Sequence, residues 1–112
     1  MKAKSAKAKG RKLQNSVVDK LRKAYPELED DDIKSQIMGV SGEDIVFSPL
    51  AKRLIGLSFE CKNQERLNLW DSLSQAESNS ENRTPVLVFK RNRSKTYAAI
   101  PFDFLIKLLS SN

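Results

Sequence analysis

Leu57-Ser58-Phe59-Glu60-Cys61-Lys62 alternates apolar and polar side chains without a break. Successive side chains of a strand point to opposite faces, so Leu57, Phe59 and Cys61 share one face and Ser58, Glu60 and Lys62 the other. Upstream, Asp44-Ile45-Val46-Phe47-Ser48 reads as a short strand ended by Pro49. Residues 50–56 are few enough for the wide loop of an antiparallel hairpin between the two. Before them, Ile33 to Met38 reads as a first strand, with Lys34, Gln36 and Met38 facing away from Ile33, Ser35 and Ile37, and Gly39 and Gly42 mark a turn. The acidic run Glu27 to Asp32 is too charged for a strand interior and reads as a loop, held away from any polyanion.

Helical periodicity frames these strands. Leu13, Val17, Leu21 and Ala24 recur at helix spacing, widened by Val18 and Tyr25, and Pro26 stops the helix. Its polar face carries Gln14, Asp19, Arg22 and Lys23. Residues 64–78 read as a second helix burying Leu67, Trp70, Leu73 and Ala76, with Leu69 beside them. Residues 85–90 and 96–100 read as two more strands joined by the basic turn Arg91-Asn92-Arg93-Ser94-Lys95, and Pro101 to Leu109 as a closing amphipathic helix. The order of helix, three strands, helix, two strands, helix predicts a mixed α/β (α+β) domain with one central sheet flanked by helices.

Composition narrows the chemistry. The chain of 112 residues has 20 Lys+Arg, 14 Asp+Glu, one Cys and no His, for a formal charge of +6. Without His there is no Ser-His-Asp triad and no HExxH zinc site, and one thiol makes neither a disulfide nor a zinc cluster. A metal would have to sit on oxygens, as Mg²⁺ does. No apolar run approaches the ~18 residues of a membrane span, and the Lys-rich start without an apolar stretch predicts no secretory signal. Residues 1–12 hold six basic residues (Lys2, Lys4, Lys7, Lys9, Arg11, Lys12) and no acid, so residues 13–112 are formally neutral. Low apolar content predicts that residues 1–12 are a disordered arm, either a solvated end or a phosphate-binding one, ahead of a single domain over 13–112.

Glu60 and Lys62 project from one strand face about 6–7 Å apart, and Asp44 starts the neighbouring strand. With seven Glu and 13 Lys in the chain, about 0.8 Glu-x-Lys triplets are expected by chance, so the weight lies in context. The pair is either a solvent-exposed structural contact or part of a site. Two carboxylates from adjacent strands suit a hard divalent cation, and a lysine beside them can orient a water and offset negative charge. Cys61, on the apolar face, reads as a buried small hydrophobe rather than a nucleophile, and Trp70 as core rather than a base-stacking residue. Gln75 lies one place off the apolar stripe, near the site or solvated. The 90–95 turn is either a solvated tip or a phosphate-contacting finger.

The segment Gly42-Glu43-Asp44-Ile45-Val46-Phe47-Ser48-Pro49, followed by Phe59-Glu60-Cys61-Lys62-Asn63, resembles the core of the PD-(D/E)xK nuclease superfamily, and within it the small phage-type Holliday-junction-resolvase-like nucleases. The resemblance runs from about Gly10 to Leu109 and includes Trp70, Gln75 and the hairpin from Pro85 to Lys95. Glu43 stands where such families often have proline, and Gln14 where related enzymes often carry a helix glutamate. The resemblance implies a restriction-endonuclease-like fold with a central mixed sheet of about five strands, and metal-dependent hydrolysis of DNA phosphodiesters. Asp44 and Glu60 would hold Mg²⁺ or Mn²⁺ with the Cys61 carbonyl, Lys62 would position the attacking water, and Gln14 would orient a ligand or water. Lys9, Arg11, Lys12, Asn63, Gln75, Lys90, Arg91, Arg93 and Lys95 would contact DNA. By the same analogy the substrate would be branched, such as a Holliday junction in DNA recombination, and the enzyme a homodimer in the cytoplasm of a bacterial or phage-infected cell. A non-catalytic DNA-binding protein, or a nicking or mismatch nuclease, remains the rival expectation.

Overall fold

The computed structural model describes the backbone of residues 2–111 and the side chains of residues 5–111. Its first element, α1 (Lys2–Ala24), is continuous through the basic stretch, so the described part of the expected disordered arm is helical. Ala and Lys are strong helix formers, and extending a helix already anchored by Leu13, Val17 and Val18 costs far less than nucleating one. Pro26 ends it as expected.

Four further strands and three further helices follow β1 (Ile33–Ser35): β2 (Ile45–Phe47), α2 (Pro49–Ile55), β3 (Leu57–Asn63), α3 (Leu69–Ser78), β4 (Thr84–Lys90), β5 (Tyr97–Ala99) and α4 (Phe102–Ser110). The mixed α+β class with five strands is therefore present. The strands fall into two sheets rather than one: an antiparallel β1-β2 hairpin, and β3-β4-β5, parallel across β3-β4 and antiparallel across β4-β5. Between the two sheets, Asp44 Oδ2 accepts the Cys61 backbone N–H at 2.7 Å, so a side chain rather than a neighbouring strand satisfies that donor of β3.

Three sequence expectations are corrected. Residues 50–56 are not a loop but mostly α2: Ser48 caps it by accepting from Ala51 N at 3.1 Å, Pro49 sits in the first turn, and Gly56 ends it at φ 70. That is the usual Ser-Pro start and glycine stop of a helix, in which the left-handed stop favours Gly. The second expected helix begins at Leu69 rather than residue 64, capped by Asn68, which accepts from Asp71 N at 3.1 Å. The helix buries Ser72 and Ala76 with Leu73 partly buried between them, a face offset from Trp70, which is 77 % exposed rather than in the core. The first strand ends at Ser35, and Ile37 beyond it is exposed.

One core joins Leu13, Val17 and Val18 of α1 to Ile33, Ile45, Phe47, Phe59, Cys61, Val86 and Val88. α1 packs against β3, and α3 packs against β3 and β4. The parallel register pairs Phe59 with Val86 and Glu60 with Leu87. Ser58 and Glu60 are consequently 2 % and 3 % exposed, so the polar face of β3 is covered and the solvent-exposed Glu–Lys pair is not what forms.

Candidate active site at the edge of β3

The residues singled out from sequence meet where α1, the start of β2 and β3 converge. A cavity of about 220 Å³ is lined by Gln14, Asp44, Glu60, Lys62, Asn63 and Gln75 among others. The turn at Gly42, at φ 104, delivers Asp44 to this edge, and its bond to Cys61 N fixes the carboxylate against β3. Gly10 lets α1 approach closely: a Cβ there would come within 3.2 Å of the Met38 methyl.

Lys62 Nζ lies 3.8 Å from Glu60 Oε2, and Asn79 Nδ2 donates to Glu60 Oε1 at 3.4 Å. Burial, reinforced by the charge of Asp44, pushes the Glu60 carboxyl up to about 7. Asn79 and Lys62 pull the other way. Asp44 is also raised by burial, with the Cys61 N–H and Lys62 opposing. Both carboxyls are thus pushed up by burial, and the nearby charge of Asp44 adds to the rise at Glu60. Two carboxyls that favour retaining a proton are a site for a positive charge. Burial likewise pushes the Cys61 thiol up, so it is a packed hydrophobe and not a nucleophile.

Among the described residues no group of three or more His, Cys, Asp or Glu side chains converges on a metal position. Oxygen ligands would have to come from Asp44, Glu60 and backbone, with Gln14. Gln14 is only 5 % exposed, and its Oε1 is buried with no hydrogen-bond partner. An acceptor in that state costs about 1–3 kcal/mol, which a cation or its bound water relieves. The donor set therefore fits a hard divalent ion.

Two supports were invisible in the motif. Glu43, beside Asp44, accepts from Ser58 Oγ at 2.9 Å and forms an ion pair with Arg83, while Arg83 Nη1 donates to the Leu57 carbonyl at 3.2 Å. The Arg83 and Glu43 side chains are 9 % and 14 % exposed, so this clasp ties the Asp44 loop to the start of β3. Asn79 links Glu60 to the Gly42 carbonyl, donating to the latter at 3.2 Å. Pattern reading had no access to either, because both partners come from the far end of α3 and the loop after it. Asp32, by contrast, turns to Ser48 Oγ at 2.6 Å and not to the site.

The basic residues divide. Lys9 and Lys12 of α1 meet Asn63 and Lys90 around an adjoining cavity of about 320 Å³, although about fifty residues separate Lys12 from Asn63 in sequence. Asn63 Nδ2 donates to the Lys9 carbonyl at 3.4 Å. Arg91 lines a third cavity, and Arg11, Arg93 and Lys95 are exposed and line none of the three.

The family model described as "Phage putative PDDEXK endonuclease" matches residues 5–112. No curated protein and no solved structure matches the chain.

Proposed function

The chain belongs to this family of phage PD-(D/E)xK endonucleases, and from that premise we propose that it is a metal-dependent nuclease of branched DNA. The observation that carries the reading is that Asp44, just before β2, and Glu60, on β3, line one open cavity with Lys62 3.8 Å from Glu60. Asp44, Glu60 and the Cys61 carbonyl would hold a divalent ion such as Mg²⁺ or Mn²⁺, which would supply Lewis acidity toward the scissile phosphate. Hydrolysis of a phosphodiester asks for ~20 kcal/mol of barrier lowering, well beyond what neutral side chains supply.

This chain's residues do the rest. Asp44 is held by the Cys61 N–H and lines the cavity. Glu60, whose carboxyl is pushed up to about 7, would give up its proton to ligate a cation. Lys62 orients the attacking water and offsets the charge that develops on phosphate. Gln14 Oε1, without a protein partner, accepts from a bound water. Lys9, Lys12 and Lys90, with Asn63, carry the flanking phosphates on a groove that continues from the site, and Arg11, Gln75, Arg93 and Lys95 extend the contact. Phosphate contacts position the duplex without reading its sequence.

We further propose that the enzyme works as a homodimer, which would let two sites nick symmetric strands of a junction. The supporting observation is α4: Phe102, Leu105, Ile106 and Leu109 form an i, i+3, i+4, i+7 stripe, all exposed, and a nine-residue helix is not stable alone in water. The test of function is cleavage mapping with Mg²⁺ and with Mn²⁺ on end-labelled duplex, flap, splayed and four-way substrates. The proposal expects nicks placed symmetrically near the branch of the four-way substrate, and no cutting of any substrate with either ion would end it.

A further inference from the structure

The third cavity lies beyond the catalytic one, at about 440 Å³, within the ~300–1,000 Å³ range of small-ligand pockets. Its apolar walls come from Leu67 and Leu69, ahead of and at the start of α3, and from Phe89 and Tyr97, which face each other across β4 and β5. The Phe89 and Tyr97 rings sit 6.2 Å apart at a tilt of 31°. Tyr97 is 57 % exposed and Leu69 39 % exposed. An aromatic surface of this kind, open to solvent on a small protein, is an unpartnered feature.

Its rim is polar and basic. Gln64, Lys90, Arg91 and Ser94 stand around it with one acid, Glu65. The Glu65 carboxylate is occupied, accepting the Asn92 N–H at 2.5 Å, and Gln64 N donates to the Lys90 carbonyl at 3.1 Å. These two bonds pin the basic turn to the segment after β3, so the pocket is built rather than incidental. It is also continuous with the proposed DNA path. Gln64 lines both this pocket and the catalytic cavity, and Lys90 lines both this pocket and the lysine groove.

We infer that this pocket receives an unpaired nucleobase, stacked on Tyr97, while Lys90 and Arg91 hold the phosphates on either side of it. The chemistry matches part by part. A base has two flat π-faces for the aromatic wall, a hydrogen-bonding edge for the Gln64 amide, and a charged backbone for the cations, while the Ser94 hydroxyl bonds Arg91 and Lys95 and so shapes the turn. A duplex base is already stacked and has no face to offer, so the pocket favours DNA that is unpaired, bulged or branched close to the cut. The inference rests on the reading of the chain as a DNA-acting protein and adds a physical source for preference among DNA structures.

The test is binding in the presence of EDTA, so that no strand is cut, of two duplexes that differ by one unpaired 2-aminopurine. Wild type is expected to bind the bulged duplex more tightly than the paired one, and to quench the 2-aminopurine fluorescence as the base stacks. Tyr97→Ala is expected to weaken binding of the bulged duplex about tenfold, the size of one lost base-aromatic stack, to abolish the quench, and to leave the paired duplex within twofold. Tyr97→Trp, which keeps an aromatic face, retains both signals. Equal affinity of wild type for the two duplexes, or an equal loss on both in Tyr97→Ala, overturns the inference and leaves the nuclease reading standing. A change of sedimentation mass in Tyr97→Ala with no change in quench overturns it in favour of a protein contact. Failure of wild type to bind either duplex overturns the DNA reading together with it.

Discussion

Glu60 is the residue on which the energetics of the site turn. Its carboxyl titrates near 7 in the fold against 4.5 ordinarily, so the folded state holds the proton more tightly than the unfolded chain. The stability this contributes is complete below about pH 4.5 and is lost as pH rises through about 7. Metal-free protein should therefore melt at progressively lower temperature from pH 5 to pH 8, by on the order of 2 kcal/mol from this group. Glu60→Gln should flatten that dependence, and millimolar Mg²⁺ at pH 8 should raise the melting temperature of wild type but not of the variant. Thermal melts at several pH values check this, and a flat wild-type profile would contradict it. The Glu43–Arg83 clasp makes a second claim. Arg83→Met leaves a buried carboxylate without its partner and should cost about 3 kcal/mol, whereas Arg83→Met with Glu43→Gln should recover most of it. Denaturant titration of wild type, Arg83→Met, Glu43→Gln and the double variant measures the coupling. Glu43 and Asp44 were both legible as a motif, but the clasp was not, because Arg83 carries no sequence mark that relates it to a residue forty positions earlier.

At the scale of elements, β3 was read almost to the residue because strict alternation leaves one register. α2 escaped, although Ser48-Pro49 and Gly56 are helix punctuation, because a seven-residue helix has too few apolar positions to compete with a hairpin loop. In α3 the apolar spacing of Trp70, Leu73 and Ala76 suggests one inner face, but the buried stripe is centred on Ser72 and Ala76, small residues that let the helix lie close to β3 and β4, and Trp70 falls outside it. α1 is the instructive case. Its composition signals a solvated arm, yet its helix brings Lys9 and Lys12 to Asn63 and Lys90, a convergence that spacing in sequence cannot reveal. If these three lysines each neutralise a phosphate, replacing them all by Ala should reduce the slope of log K against log salt for duplex binding by about 2–3. A slope unchanged from wild type would remove the groove from the DNA path.

For the whole molecule, charge and hydrophobicity are unevenly spread. The basic groove and the catalytic cavity adjoin, while the apolar stripe of α4 follows Pro101, which borders a separate cavity lined by Trp70 and Ile100. A self-associating face is expected there, and Leu105→Glu with Ile106→Lys should convert a dimer to a monomer in sedimentation equilibrium; a wild type that is monomeric at tens of micromolar would contradict it. The class of fold and the candidate trio Asp44, Glu60 and Lys62 were legible together because both depend on one alternating strand and its neighbour. The division into two sheets was not, since alternation along β3 does not reveal that the Asp44 carboxylate, rather than a strand, meets the Cys61 N–H. That same contact joins fold to function, and single-turnover cleavage of a labelled four-way junction, with DNA affinity measured in parallel, probes it at once. Asp44→Ala, Glu60→Ala and Lys62→Ala should each slow Mg²⁺-dependent cleavage by about a thousandfold or more, roughly 4 kcal/mol of barrier, while binding the junction within a few-fold of wild type. Cleavage by any of the three at the wild-type rate would contradict the assignment of the site.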